Sequence, residues 1–427
     1  MILLISVIFI LGYAAITLEH TIKVNKAATA IITGVLCWTV YALYNEDIHV
    51  PSHFLEEHLG ELAGILFFLL GAMTIVELID AHDGFEIITS RIKSTNKAKL
   101  AWIVAIITFF LSAALDNLTT TIVLVSLLRK IIPDKKERLM FAGLVVISAN
   151  AGGAWSPIGD VTTTMLWIGG QITAGSIVIK TIIPSLVCML LPTFLIARKL
   201  KGELSTGEIE APKNLNFTTS QAERNGVFYL GVGALLFVPI FKTITNLPPY
   251  MGILFGLGVM WVITEFIHHD KDEEEKGVLS VNHALRKIDT PSILFFLGIL
   301  LSVAVLQTIG VLTGIATWMD ETVGNVNVIT ISIGLLSAVI DNVPLVAAAQ
   351  GMYGLDVYPT DHYFWTFLAY CAGTGGSCLI IGSAAGVAAM GLEKIEFFWY
   401  FKNISLFALL GYLAGAVVFI LEHWIIS

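Results

Sequence analysis

Long apolar runs separated by short polar stretches dominate the chain. Runs of about 17 to 25 apolar residues with polar flanks have the length of a bilayer-spanning helix. In the first half they fall at about 2–18, 27–45, 61–81, 138–168 and 174–197. The second half gives about 226–243, 249–268, 291–312, 362–391 and 403–425. Two further apolar segments, about 99–132 and 326–352, each carry an Asp-Asn pair halfway along. These are Asp116 and Asn117 within LSAALDNLTTT, and Asp341 and Asn342 within LSAVIDNVPLV. An ionised carboxylate inside a membrane segment costs several kcal/mol, which marks both pairs as functional candidates. The two stretches share Leu, Ser, Ala, Asp and Asn at equivalent positions 225 apart, so the pattern predicts an internal duplication of roughly half the chain.

Flanking charges decide how the two Asp-Asn segments run. Lys97 and Lys99 precede the first, and Arg129, Lys130, Lys135, Lys136 and Arg138 follow it, so both of its ends are cytoplasmic by the positive-inside rule. Between Thr313 and Gly391 there is no Lys or Arg, so both ends of the second segment are external. Each segment therefore reads as a hairpin that enters and returns. With that count all 24 Lys and Arg except Lys180 and Lys242 fall inside, and both termini lie outside. The fold class is an all-α polytopic membrane protein, an inverted repeat with five transmembrane helices and one re-entrant hairpin in each half. The first repeat covers 1–198, with its hairpin at 99–132. Residues 199–225, marked by Gly202, Gly207 and Pro212, are the cytoplasmic linker, and 226–427 form the second repeat, with its hairpin at 326–352.

Two spans are broken. Residues 138–168 would measure about 45 Å as a straight helix, longer than the ~30 Å hydrocarbon core. Their centre reads SANAGGAWSPIGDVTTT, and unwound backbone at this depth is tolerated only where protein buries it or it lines a cavity. Residues 362–391 repeat the feature in GTGGSCLIIGSAAG. Aligning Gly152 and Gly153 with Gly375 and Gly376 pairs Gly159 with Gly382 and Asp160 with Ser383.

Composition agrees with this reading: 56% of the residues are hydrophobic, 13% are charged, and the mean hydropathy is +0.82. The net charge is −9 and there is no basic tract, so the expected partner surface is a lipid bilayer and not a nucleic acid. Cys37, Cys188, Cys371 and Cys378 lie in apolar segments without a CxxC, which gives no disulfide framework or zinc site. The apolar start lacks a basic leader and a small-residue cleavage site, so it reads as a retained first span.

A hairpin tip meeting a helix break offers half-helix ends, carbonyls, hydroxyls and amides, which suit a dehydrated hard cation or a small anion. Asp116, Asp160 and Asp341 supply up to three negative charges, and the motifs hold no Lys or Arg, so a cation is the natural ligand. Asp116, Asn117 and Asp160 are the expected Na+ ligands. Supporting groups are Thr119, Thr120, Asn150, Ser156, Thr162 and Thr163 in the first half, and Ser337, Asn342, Thr374, Ser377 and Ser383 in the second. Competition of cation and proton for the same oxygens, with alternating access, is sufficient for Na+/H+ exchange without a cofactor. The plainer alternatives are that Asp116 and Asn117 cap the returning half-helix and that the hydroxyls bond to their own backbones. Glu77 and Asp80 read as interfacial carboxylates or a proton path. His49, His53 and His58 with Glu56, Glu57 and Glu61 read as an acidic external loop, and DKDEEEK at 270–276 as a solvated loop.

The signatures SAALDN and SAVIDN, the SANAGGAWSPIGDVTTTMLW break and the GTGGSCLIIGSAAG break together resemble the NhaD-type sodium:proton antiporters. These lie within the ion transporter superfamily that also holds dicarboxylate and arsenite carriers. The resemblance covers nearly the whole chain. It implies a homodimer with a scaffold domain and a mobile transport domain, Na+ and Li+ as transported ions, and a bacterial inner membrane. It carries the family's ion-site carboxylates and amides to Asp116, Asn117, Asn150, Asp160 and Asn342, and its hydroxyls to Thr162, Thr163, Ser337 and Ser377. The related dicarboxylate carriers resemble Ser-Asn-Thr at the tips, so the Asp-Asn pairs here disfavour an anionic substrate. A Na+-coupled anion transporter of the same superfamily is the alternative. An intramembrane aspartyl protease is disfavoured, because Pro157, Ile158, Gly159 and Asp160 do not form GxGD and a single dyad has no use for duplicated halves.

Overall fold

Inside a bilayer, backbone N–H and C=O groups must bond within their own segment, and this chain meets that demand with helices. The computed structural model describes residues 1–47, 49–90, 92, 94–204 and 219–426. Every named element among them is helical, and eight helices are long and apolar enough to cross a membrane. The protein is an all-α polytopic membrane protein.

The helices match the predicted spans closely, with one correction. The third span begins twelve residues before the expected 61: His49–Ala81 is one helix of 33 residues, about 50 Å long. The acidic, His-bearing stretch is therefore its first turns and not a loop, and His58 bonds through Nε2 to the Thr308 hydroxyl at 3.1 Å. A helix forms there because Pro51, the one proline in 49–61, lies in the first turn where it needs no donor, and the single Gly60 costs an interior helix only about 1 kcal/mol. Residues 205–218 of the expected linker, including Gly207 and Pro212, lie outside the described residues. Described structure resumes before Gln221–Thr245, which starts with a Ser220/Glu223 capping box. The 270–276 charge run leads into a short helix, Glu273–Leu279, and Lys271 pairs with Glu223 at 3.2 Å.

Each Asp-Asn segment folds into two helices. The first hairpin consists of Lys97–Leu115 and Asn117–Ile131, the second of Val326–Leu336 and Asn342–Met352. Contacts join the start of each segment to residues that follow its end. Lys97, opening the first hairpin, pairs with Glu137, just past its end, at 2.6 Å. In the second, Asn327 accepts from the Tyr363 hydroxyl, beyond the hairpin's end, at 2.6 Å. Both long spans are broken as expected, into Lys135–Gly153 and Val161–Ile168, and into Tyr363–Gly375 and Ala384–Glu393.

The contacts between hairpin and broken helix coincide position by position in the two halves. Gly152 lies against the backbone of Phe109, and Gly375 against that of Gly334. Gly159 lies against Ser112 and Ala113, and Gly382 against Ser337 and Ala338. A Cβ at any of these four glycines would collide with backbone, so glycine is what lets the unwound segment pass the hairpin this closely. The hydroxyl of Ser112 donates to the Ala149 carbonyl at 2.6 Å, and that of Ser337 to the Ala372 carbonyl at 3.2 Å.

The ends of the two hairpins are clasped differently. The buried carboxylate of Glu393 takes Arg138 at 2.8 Å and Arg129 at 3.0 Å, tying the second broken helix to the first broken helix and to the first hairpin. At the other end the amides of Gln171 and Gln350 lie 2.8 Å apart, joining the first broken helix to the second hairpin without charge. A second packing group, built on Ile2–Thr17, Lys26–Tyr44 and Thr290–Thr308, shares a hydrophobic core that reaches the second hairpin through Val343 and Ala347.

Candidate ion site

Four half-helices start at the centre of the molecule, and each starts on a side chain that caps it. Asp116 accepts from the N–H of Thr119 at 2.8 Å, Asp160 from Thr162 at 2.8 Å, Asp341 from Val343 at 3.3 Å, and Ser383 from Gly386 at 3.1 Å. The partial positive charge at a helix N-terminus, about +0.5 each, favours anionic caps, and three of the four are carboxylates.

Asp160 is the hub. It is 2% exposed and collects donors from three elements. Asn117 of the first tip donates to it at 2.5 Å, the Thr162 hydroxyl at 2.7 Å, and Asn342 of the second tip at 3.4 Å. Asn117 also donates to the Asn150 carboxamide oxygen at 3.0 Å, and Asn150 donates to the Ser383 hydroxyl at 2.9 Å. One network of amides thus links all four half-helix starts. Among the described residues no Lys, Arg or His forms an ion pair with Asp160 or Asp116. Both Asp116 and Asp341 lie within Coulomb range of Asp160.

The backbone at Asp116 is strained. Its φ of 121° and ψ of 162° fall in a region occupied almost exclusively by glycine, which costs a carboxylate-bearing residue about 1–3 kcal/mol. That conformation brings the Thr119 hydroxyl onto the second carboxylate oxygen at 2.8 Å, so both oxygens of Asp116 are held.

The expected hydroxyl ligands separate into two groups. Thr119 and Thr162 bond the carboxylates. Ser156, Thr163, Ser337, Thr374 and Ser377 donate to backbone carbonyls, of Ala113, Asp160, Gly334 and Ala372, Tyr370, and Thr374 respectively, as hydroxyls in membrane helices commonly do. The buried hydroxyl of Thr120 has no hydrogen-bond partner, so it is the one expected hydroxyl left with a free valence beside the first tip.

The sequence missed a cation at the second tip. Although the motifs contain no Lys or Arg, Lys26 brings its ammonium to 3.2 Å from Asp341. In the sequence Lys26 looks like one more basic residue of an inside loop, and nothing near it signals a partner 315 positions away. Two further groupings were not legible. Glu77 pairs with Lys287 at 3.4 Å. His82 and His268, just past the ends of His49–Ala81 and Pro249–Ile267, are buried with their Nε2 atoms 2.7 Å apart. His82 donates from Nδ1 to the Leu78 carbonyl, so its Nε2 accepts from His268 when both rings are neutral. Burial holds both imidazoles below their usual pKa, His268 down to about 4, with Lys271 adding to the effect on each and Glu223 opposing it.

Comparison with known proteins agrees with this architecture. A family model described as citrate transporter (CitMHS) matches residues 2–366. Sodium/proton antiporter 1 of Arabidopsis thaliana is 49% identical over 98% of this chain and 72% of its own length. Sodium/proton antiporter 2 of the same plant is 46% identical over 98% of this chain and 99% of its own length. The Na(+)/H(+) antiporter NhaD of Alkalimonas amylolytica is 27% identical over 96% of this chain and 88% of its own. A membrane protein with two hairpins, two broken helices and relatives of this kind along nearly its full length belongs to the NhaD-type sodium:proton antiporters of the CitMHS family.

Proposed function

We propose that this chain exchanges Na+ for H+ across a membrane, with Asp160 and Asp116 as the groups for which the two ions compete. The observation that carries the proposal is Asp160: a carboxylate 2% exposed, met by two tips and a helix break, with amides and a hydroxyl but, among the described residues, no basic side chain as partners. An isolated charge in such a place is expensive, so the site favours either a proton or a bound cation on it. In this structure the carboxamides of Asn117 and Asn342 offer N–H to the carboxylate. Once Na+ neutralises it, rotation of the same carboxamides presents oxygens, which hard cations prefer. Li+ fits the same all-oxygen ligand set.

For transport, the hairpins and broken helices form the mobile unit, together with Ala174–Lys199 and Ser405–Ile426. The helices around Lys26–Tyr44, Thr290–Thr308, His49–Ala81 and Pro249–Ile267 form the scaffold, through which a homodimer assembles. The coincident contacts of the two halves support an inverted repeat, and the charge distribution supports basic loops in the cytoplasm and both termini outside. The setting we propose is a bacterial inner membrane, as the resemblance implies.

The test is Na+-induced dissipation of a pH gradient in everted vesicles. Asp116→Asn and Asp160→Asn should insert normally and abolish the response, and wild-type exchange in either variant overturns the proposal. Lys26 at the second tip and the match to a family model described as citrate transporter are what support the Na+-coupled anion reading. Na+-dependent uptake of labelled succinate or citrate, without proton exchange, is the result that would favour that reading.

A further inference from the structure

The two hairpin tips align at a spacing of 225, and the alignment exposes a chemical difference. Thr119, which gives Asp116 both an N–H and a hydroxyl, corresponds to Pro344, which has neither. Asp341 therefore keeps one backbone donor, Val343, and its other oxygen faces Lys26 at 3.2 Å. Lys26 is not a hairpin residue. It opens the scaffold helix Lys26–Tyr44, its backbone N–H donates to Glu19, and its ammonium lies 4.3 Å from the ring centre of Phe295 on Thr290–Thr308. Both side chains are mostly buried, at 26% and 19% exposure, beside a cavity of about 60 Å³ lined by Tyr13, Glu19, Lys26 and Asp341. In the other half the corresponding helix is Pro249–Ile267, which starts with Pro249, Tyr250 and Met251, and among the described residues no cation forms an ion pair with Asp116 of the first tip.

We propose that Lys26 is the resident counter-ion of the second tip. Its ammonium sits where a transported cation would sit at Asp341, so a chain built with two Asp-Asn tips has one exchangeable cation site, the Asp116 and Asp160 side. This rests on the antiport reading and fixes the number of ions each chain carries per cycle. The pair also bridges scaffold and mobile unit, so the tethered charge holds the second hairpin against the scaffold in the state seen here.

Calorimetric titration of the purified, full-length protein with NaCl at fixed pH, scored together with proton release, counts the sites. The wild type should bind one Na+ per chain. Lys26→Met should bind two, Lys26→Arg one, and the double variant Lys26→Met with Asp341→Asn one again. Asp341→Asn alone should still bind one, with an apparent affinity lowered by less than about tenfold, because the neighbouring Asn342 donates to Asp160 and couples the second tip to that site. Two Na+ in the wild type, an unchanged count in a folded Lys26→Met, or loss of Na+ binding in Asp341→Asn each overturns the assignment. If Lys26→Met does not fold, the Asp341→Asn count decides by itself. Failure of the antiport reading looks different, because wild-type protein then binds no Na+ at all.

Discussion

The tips around Asp116 and Asp341 begin with the same residues and end in different chemistry. After Asp116 and Asn117 come Leu118, Thr119, Thr120 and Thr121, whereas after Asp341 and Asn342 come Val343, Pro344, Leu345 and Val346. The first tip is thus lined with hydroxyls and the second with hydrocarbon. Their backbones differ as well. Asp341 sits at an ordinary φ of −48° and ψ of 137°, while Asp116 is held at 121° and 162°. The second tip has its charge matched by Lys26, and the first has none matched by any ion pair among the described residues. Duplicated geometry therefore does not imply duplicated sites. On the proposed reading a hairpin tip is a place for a cation, and whether it stays available depends on the two or three side chains that follow it and on what the neighbouring helices bring.

The sharpest way to break this comparison is to neutralise the carboxylates one at a time. Asp160→Asn and Asp116→Asn should lower Na+/H+ exchange in vesicles on the order of 100-fold or more, the size expected from losing a charged partner at a buried site. Asp341→Asn should lower it less than about tenfold, since its charge is already matched; equal losses at both tips would erase the distinction. Next in size is the clasp. Arg138→Met leaves Glu393 with Arg129 alone and should destabilise the purified protein by about 2 kcal/mol, below the 3–5 of a wholly unpaired buried charge. Gln350→Leu, at the uncharged clasp, should cost about 1 kcal/mol, and the ranking is read from thermal unfolding in detergent.

Backbone strain distinguishes the tips by a smaller margin. Asp116→Gly relieves a conformation suited to glycine, whereas Asp341→Gly loosens an ordinary one, so the first variant should be more stable than the second by about 1 kcal/mol or more. The reverse order of unfolding temperatures would show that Asp116 is not strained. The smallest effect is remote from both tips and separates site titration from scaffold titration. His82 and His268 are held neutral in the fold, while unfolded imidazoles titrate near 6.5, so the unfolded state binds more protons below that pH. The stability they contribute is complete above pH 6.5 and declines as the pH falls from there toward 4. A melting temperature that drops between pH 7.5 and pH 5 in the wild type, and drops less in His268→Phe, is the expected result. Identical slopes would remove the pair from the account.

Much of this molecule can be read directly from its sequence because a bilayer leaves the chain few choices. Apolar length fixes the spans, and flanking charge turns 99–132 and 326–352 into hairpins. Glycine and proline at membrane depth mark the breaks at 154–160 and 376–383, and a carboxylate that survives among hydrocarbon marks Asp116, Asp160 and Asp341. All of these signals are local. Thr119 and Thr162 are local partners of Asp116 and Asp160 as well, but the remaining side-chain pairs in and around the site are set by where two distant backbones pass. Asn150 meets Ser383 across 233 positions, Asn342 meets Asp160 across 182, Arg138 meets Glu393 across 255 and Lys26 meets Asp341 across 315. Sequence alone identified the groups that carry charge into the membrane. Only the packing of helix on helix decided which of those charges was already matched, because an ion pair is made by a few ångströms of separation that no local pattern encodes.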